Sequence, residues 1–374
     1  MPAFALPHWF PLSLRSPALP GRILTGLGWL TTPLSPDDYL GLVDPLLSAR
    51  HPAGVVAAVR PETADASTLV IRPGRGWAGH RSGQYVPVGG ELDGVWHWRT
   101  YSLTSAPDAP GGDVTITVKA DPRGKVSPYL VHRAPPGTVL RLGPPQGEFV
   151  LPDPPPARML FVTAGSGITP VMGMLRTLAG RSGPAPDVVL LHSAPGPDAC
   201  LFRAELAGLA ARVPWLRLHL RYTRTAGRLT VRDIGALCPD RLGRETWACG
   251  PAGLLDVVRE HMARRKGAQE RLHVESFRPA VPPAPAAGES GGRVRFGRSG
   301  VAAESPASVP LLETGESAGV PMPYGCRRGI CFGCLVPLVD GRVRDLRTGH
   351  VHGEPGELIQ TCVNGATGPL VLDV

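Results

Sequence analysis

Four cysteines near the C-terminus constrain this chain more than any other feature: Cys326, Cys331, Cys334 and Cys362. The first three lie in Gly325-Cys326-Arg327-Arg328-Gly329-Ile330-Cys331-Phe332-Gly333-Cys334, a C-x4-C-x2-C spacing, and the fourth follows 28 positions later. Four thiolates at this spacing are the ligand set of a cluster of two irons and two sulfides, which carries one electron at a time. A zinc site favours two close pairs, and only Cys331 and Cys334 form one. A disulfide framework fits poorly, because the seven cysteines are an odd number and no secretory signal precedes them. Gly325, Gly329 and Gly333 suit an anionic cluster, since backbone N–H groups can close around it where a Cβ would intrude. Phe332 has two readings: a shield against water, which is one determinant of cluster potential, or an ordinary packing residue.

Composition narrows the partners. The 374 residues suffice for two or three domains, each with its own core. The net charge of +8 comes from 39 basic residues, of which only Lys119, Lys125 and Lys266 are lysines. That charge is scattered and not interleaved with aromatics, which argues against nucleic-acid binding. Residues 292–374 carry eight arginines and eight acidic residues, so the cluster segment is neutral and cannot steer a partner by acidity. No uncharged apolar run is long enough to span a bilayer. Residues 1–14 are apolar and aromatic, but Pro2, Pro7 and Pro11 break them as a helix and they lack a basic n-region. The expectation is an uncleaved extension on a protein of the reducing cytoplasm.

In chain order, Ser35-Pro36-Asp37-Asp38 supplies an N-cap, a proline at the first helical position and two early acids, so a short helix should run to about Leu42. Residues 1–53 form an N-terminal extension with two readings, a packing arm or a contact for a membrane-bound partner. From Gly54 to Leu151 the pattern is short β-branched or alternating runs split by Gly/Pro turns: Val55–Val59, Thr68–Ile71, Val114–Val118 and Val139–Leu142. Many short strands without long helices between them predict a small closed antiparallel barrel. At Met159–Val162 the pattern changes to a buried strand. Thr163-Ala164-Gly165-Ser166-Gly167-Ile168-Thr169-Pro170 then turns into a helix over Val171–Leu178. A strand, a Gly-x-Gly turn and a helix make half of a dinucleotide site. Further strands at Val188–Leu191, Leu216–Arg221 and Glu245–Cys249 predict an α/β domain whose parallel sheet binds ligand at its C-terminal strand ends.

Two motifs sit on the barrel. Arg99-Thr100-Tyr101-Ser102-Leu103-Thr104-Ser105 reads as a strand, which puts Arg99 and Tyr101 on one face and Ser102 on the other. Gly124-Lys125-Val126-Ser127 opens a helical stretch through Leu130, whose first amides can hold phosphate. Alone, an R-x-Y-S string is weak. Together with the turn that follows, the two motifs resemble the flavin domain of the ferredoxin–NADP reductase superfamily. The resemblance implies that Arg99 pairs with the flavin phosphate, that Tyr101 and Leu103 line the isoalloxazine site, and that Ser102 bonds near the reactive N5. It implies that Gly124, Val126 and Ser127 hold the FAD pyrophosphate, with Lys119 assisting. Pro170 in place of a third glycine fits the same superfamily, so Gly165, Gly167, Thr169 and Pro170 are expected on the nicotinamide dinucleotide. Cys249-Gly250-Pro251 would lie beside the nicotinamide. Cys249 could equally be a small core residue, and no acid–base partner gives it a proton role. His273-Val274-Glu275-Ser276-Phe277 resembles the family's terminal strand, which brings Glu275 and Phe277 near the flavin. Ser102, Tyr101, Cys249 and Glu275 are therefore the candidates at the catalytic centre. After the strand ending at Tyr222 come Thr223, Arg224 and Arg228, a hydroxyl and two cations suited to a 2′-phosphate. An NAD site would favour an acid there, and none lies between Thr223 and Arg228, so NADPH is expected over NADH.

Residues 279–291 form a Pro/Ala linker that could reach on the order of 40 Å if extended. Residues 292–374 resemble a plant-type ferredoxin domain, which implies an α+β β-grasp fold. The expected domains are then a flavin barrel over 54–154, a nucleotide domain over 155–278 and the cluster domain after the linker. That order resembles the phthalate-dioxygenase-reductase arrangement. Leu34–Leu40 and Glu62–Leu69 look closer still to actinobacterial NADPH oxidoreductases that feed membrane fatty-acyl-CoA desaturases. The resemblance implies hydride transfer from NADPH to FAD, with FMN as the alternative flavin. Single electrons would then pass through the 2Fe–2S cluster to a terminal oxygenase or desaturase. Two rivals stand: the reductase of an alkane or aromatic mono- or dioxygenase, and a redox-sensing module that is not an enzyme.

Overall fold

The computed structural model describes residues 36–49, 52–92, 95–122, 124–263, 267–277, 291–325, 327, 329 and 333–374. The N-terminal stretch, most of the linker, Phe332 and two of the four cysteines expected to hold the cluster, Cys326 and Cys331, lie outside the described residues. Helix α1 (Pro36–Val43) starts where the Ser-Pro-Asp-Asp signal places it. One of its acids is used further along the chain: Asp37 accepts hydrogen bonds from Ser48 Oγ (2.6 Å) and the Ala49 N–H (2.8 Å).

Six antiparallel strands follow: β1 (Ala53–Thr63), β2 (Ala66–Pro73), β3 (Tyr85–Leu92), β4 (Val95–Ser102), β5 (Val114–Lys119) and β6 (Val139–Leu142). Their order is β4-β3-β6-β1-β2-β5, and a bridge between Leu103 and Ile116 brings the end of β4 back onto β5, closing the sheet into a barrel. Closure hides the inward side chains of every strand, so Leu69, Ile71, Leu103, Ile116, Leu140 and Leu142 are fully buried. Helix α2 (Val126–His132) adds Val126, Leu130 and Val131 to the same core.

The second sheet is wholly parallel: β7 (Arg158–Ala164), β8 (Asp187–Ala194), β9 (Leu216–Tyr222), β10 (Glu245–Cys249) and β11 (Leu272–Glu275), in the order β11-β10-β7-β8-β9. Helices α3 (Ile168–Gly180), α4 (Arg203–Arg212), α5 (Thr223–Ala226), α6 (Val231–Leu237) and α7 (Ala252–Ala263) connect or follow its strands. Both faces are covered, as a parallel sheet requires. Met159 and Phe161 of β7 pack with α3 and α4, while Leu160 and Val162 pack with α6 and α7. The strand order reverses between β7 and β10, so the ligand crevice belongs at Ala164–Gly167 and Cys249–Pro251.

Barrel and parallel sheet meet along α3. Gly173 lies where a Cβ would stand 2.7 Å from the Leu103 carbonyl oxygen, Arg176 Nη1 donates to Thr104 O (2.7 Å), and Trp247 Nε1 donates to Val150 O (3.3 Å). Phe149 and Leu151 belong to the apolar cluster of the sheet and α3. The flavin side and the nucleotide side are thereby fixed against each other.

The C-terminal domain carries a mixed sheet, β13-β12-β19-β14-β17, from β12 (Gly292–Phe296), β13 (Ala302–Ser305), β14 (Leu335–Asp340), β17 (Leu358–Gln360) and β19 (Leu370–Leu372). A small sheet adds β15 (Val343–Asp345), β16 (Val351–His352) and β18 (Asn364–Ala366). Helix α8 (Leu311–Ser317) buries Leu311 and Leu312 in a core with Phe296, Val336 and Leu372.

Candidate functional site

A cavity of about 400 Å³ opens where β4, β5 and the start of α2 face the first turn of α3 and Phe277. Its barrel wall includes Arg99, Tyr101, Ser102, Lys119, Gly124, Val126 and Ser127, and Thr169 stands opposite beside Phe277. Thr100 lines it as well, so residues of both strand faces contribute, contrary to a strict alternation; the cavity runs along β4, which ends the sheet order apart from the Leu103 bridge. Leu103 turns inward instead and is wholly buried in the barrel core. Thr117, Asp121 and Ser166 also line the space and were not singled out by motif. Thr117 was legible, because it lies two residues before Lys119 on one strand face.

The polar groups here show what the cavity can hold. Ser102 Oγ is buried and has no hydrogen-bond partner among the described residues. A buried hydroxyl left without a partner costs about 1–3 kcal/mol, which fits a site completed by a polar ring such as flavin. Ser127 Oγ accepts from the Asp121 N–H (3.0 Å) and stays on the cavity wall. Lys119 pairs with Asp65 (3.1 Å). Arg99 is shared: its Nη1 donates to Trp98 O (2.7 Å) and to Gly325 O (2.8 Å), the carbonyl just before the first cluster cysteine. The His97 and Tyr324 rings meet beside it, with centroids 6.2 Å apart.

At the crossover of the parallel sheet, a Cβ on Gly167 would collide with the Cys249 carbonyl, so only glycine lets the turn after β7 lie against the end of β10. Thr169 Oγ1 donates to Ser166 O (2.9 Å), and Pro170 is buried in the first turn of α3. Gly165, Gly167, Pro170, Cys249, Gly250 and Pro251 do not line the cavity, although Ser166 and Thr169 of the same turn do. Cys249 pairs in register with Glu275. Burial, with the Glu275 carboxylate beside it, pushes the Cys249 thiol well above its usual range, so it stays neutral. Burial also pushes the Glu275 carboxyl up to about 8, and its Oε2 has no partner among the described residues. Glu275 lines a second cavity of about 550 Å³, shared with Tyr85 and the segment Gln146–Phe149.

A third cavity, of about 500 Å³, lies at the C-terminal ends of β8 and β9 and is lined by His192, Ser193, Arg221, Tyr222 and Thr225 among others. Thr223, Arg224 and Arg228 flank it rather than line it. Arg224 meets Asp198 at 3.2 Å, an acid from the β8–α4 loop that lies outside the Thr223–Arg228 stretch. Arg228 is exposed and has no partner among the described residues. Ser193 Oγ is buried and has no partner among the described residues, and His192, held neutral by burial with its titration pushed down to about 4, meets Thr163 Oγ1 at 2.8 Å.

In the C-terminal domain Cys334 and Cys362 have sulfurs 3.2 Å apart, far beyond the ≈ 2.05 Å of a disulfide yet close enough to share one metal. Thr361 holds them together, its N–H (3.2 Å) and Oγ1 (2.9 Å) both donating to the Cys334 carbonyl. The Gly329 N–H donates to Cys362 Sγ (3.2 Å), the kind of bond a thiolate accepts in an iron–sulfur centre. This donor set fits a cluster.

Comparison with known proteins agrees with this geometry. Residues 74–151 match the oxidoreductase FAD-binding domain family, 161–260 the oxidoreductase NAD-binding domain and 295–363 the 2Fe–2S iron–sulfur cluster binding domain. Over 348 residues the chain is 53% identical to an NADPH oxidoreductase of Mycobacterium tuberculosis, covering 92% of this chain and 90% of the relative. The chain belongs to the NAD(P)H-dependent flavin and iron–sulfur oxidoreductases. Within that family it is also 30% identical, over 74% of this chain and 83% of the relative, to a stachydrine N-demethylase reductase subunit of Rhizobium meliloti. The solved structure of phthalate dioxygenase reductase shares the fold (TM-score 0.57, 24% identity, 86% of this chain and 97% of that one). This oxidoreductase therefore carries FAD, nicotinamide and 2Fe–2S domains in the phthalate-dioxygenase-reductase order. None of its described helices is long and apolar enough to cross a membrane.

Proposed function

We propose that the chain oxidises NADPH at FAD and delivers electrons singly, through its 2Fe–2S centre, to a membrane-bound oxygenase, with a fatty-acyl-CoA desaturase as the acceptor. The flavin, when bound, accepts a hydride and returns electrons one at a time, which is the chemistry the cluster can take up. The observation that carries the reading is the juxtaposition at one cavity of Ser102, Tyr101 and Arg99 from β4 with Thr169 and Phe277 from the nucleotide side. In it Ser102 offers the ring a hydroxyl, Arg99, Gly124 and Ser127 take phosphate, and Gly167 brings the Cys249–Pro251 edge close behind. Arg99 links that cavity to the cluster loop through Gly325. The domain limits 54–154, 155–278 and 292–374 belong to the same reading.

NADPH is favoured by Arg224 and Arg228 beside the third cavity, and by the name of the relative at 53% identity. The Arg224–Asp198 pair is solvent-exposed and screened by water, so a 2′-phosphate can displace the carboxylate at little cost. Arg224→Ala should raise KM for NADPH about tenfold, the loss of one charge-assisted hydrogen bond, with KM for NADH nearly unchanged. Equal effects on both nucleotides would remove Arg224 from the 2′-phosphate site. The desaturase reading draws on the actinobacterial resemblance of Glu62–Leu69. A hydroxylase acceptor is the second reading, supported by relatives named as reductase subunits of a demethylase and of glycine betaine monooxygenase. Anaerobic NADPH should bleach both flavin and cluster absorption. Reconstitution with membranes then separates acceptors: NADPH-dependent desaturation of a long-chain acyl-CoA supports the first, and hydroxylation of alkane or aromatic substrates without desaturation overturns it.

A further inference from the structure

Arg347 stands just after β15, 15 residues before Cys362, and no motif marks it. Its guanidinium is nonetheless held on two sides. Nε and Nη2 donate to the two oxygens of Asp345 (3.1 and 2.6 Å), and the Arg347 backbone N–H donates to Asp345 Oδ1 (2.8 Å). The remaining edge faces the ligand loop, where Nη1 donates to Gly329 O (3.2 Å). Gly329 adopts φ +70°, and a Cβ there would run into Arg347 Nη1, so glycine leaves the room the guanidinium fills. The same Gly329 turns its N–H onto Cys362 Sγ (3.2 Å). One residue therefore separates a fixed cation from a ligand sulfur, and the guanidinium stands between that loop and the Asp345 carboxylate.

We propose that Arg347 is a positioning residue that sets the reduction potential of the cluster. Net charge and hydrogen bonds at the sulfurs are among the quantities that fix such potentials. Reduction adds an electron to an already anionic centre, so a cation held beside it favours the reduced form, while Asp345 behind it opposes that effect from further away. The side chains of Arg347 and Asp345 are 40% and 14% exposed, which leaves the interaction only partly screened. The same contact ties the loop's Gly329 turn to β15, so charge and loop geometry are controlled by one side chain.

The test is a mediated redox titration of the loaded full-length protein, read by the cluster's electron paramagnetic resonance signal. The inference rests on the cluster itself, whose presence is reported separately by the visible spectrum before titration. Arg347→Gln should lower the reduced-to-oxidised ratio at a fixed ambient potential about tenfold, which is about 59 mV for one electron. Asp345→Asn keeps an acceptor for the Arg347 N–H but deletes the opposing charge, so the ratio should rise, by about threefold on the same scale. Arg347→Lys should fall between wild type and Arg347→Gln. An unchanged ratio in Arg347→Gln, or a fall in both Arg347→Gln and Asp345→Asn, overturns the proposal, because general loosening of the loop would move both the same way. Should Arg347→Gln take up no cluster, Asp345→Asn decides alone: a ratio that fails to rise refutes the assignment.

Discussion

Glu275 is a carboxyl whose chemistry departs far from its type. Its ordinary pKa lies near 4.5, and burial at the end of β11 lifts it to about 8 in the folded chain. The native state therefore keeps this proton while the unfolded chain releases it. Below about 4.5 both states are protonated and Glu275 is neutral to stability. Between about 4.5 and 8 the folded state loses ground steadily, to a total on the order of 5 kcal/mol, and above 8 the loss is complete. Glu275→Gln removes the titration, so the variant should gain on the wild type as pH rises through that window and hold a constant lead above it. Thermal midpoints of both proteins across pH 5–9 check this, and parallel curves would show that the fold leaves the titration of Glu275 unshifted. Cys249, pushed upward by the same burial, stays a thiol in the fold, and its own contribution begins only near pH 9, where the unfolded thiol ionises.

At the scale of elements, α3 does two jobs: its first turn lines the cavity through Thr169 and its middle seats the barrel. Gly173 is the contact point, because a Cβ would sit 2.7 Å from the Leu103 backbone oxygen, which cannot swing away. Gly173→Ala should cost about 1–3 kcal/mol in overpacking, less the ~0.5–1 kcal/mol that Ala gains in a helix. It should also slow flavin reduction by NADPH, up to about a hundredfold for a displacement of an ångström. Gly180→Ala, at the end of the same helix with nothing near its Cβ, is the matched control and should leave the rate unchanged. Stopped-flow flavin bleaching distinguishes the two. Gly173 also shows what sequence reading can and cannot reach. The barrel strands, the Gly-x-Gly turn and the alternating α/β segment were legible, since each is written in a local period or a turn chemistry. The cavity-lining residues on β4 and at the start of α2 were legible through the R-x-Y-S and Gly-Lys-Val-Ser strings. Contacts between distant segments were not: a lone helical glycine reads as a weak spot, Asp198 lies 26 residues from Arg224, and nothing near Arg347 announces a cluster. Such pairings exist only after the chain has folded.

For the whole molecule, the two halves of the reductase are one packed body, because Phe149 and Leu151 share an apolar cluster with α3 and the parallel sheet. The cluster domain has its own core and meets the barrel through smaller contacts, Arg99 with Gly325 and the His97 ring with Tyr324. Tyr324 is held on its other side by Arg327, stacked 4.5 Å from its ring and paired with Glu316 of α8. A contact of this size orders a tethered domain without fixing it permanently, and linkage makes even a weak contact effective. Its loss should therefore affect transfer between cofactors and spare the chemistry before it. In Tyr324→Ala, flavin bleaching by NADPH should keep its wild-type rate while cluster bleaching slows about tenfold, some 1.4 kcal/mol in the barrier. His97→Ala attacks the same contact from the barrel side and should reproduce the split, with the double variant no slower than the worse single one. If both steps slow together, the rings stabilise the flavin site instead; if neither moves, electrons reach the cluster without this contact and Arg99–Gly325 carries the docking alone.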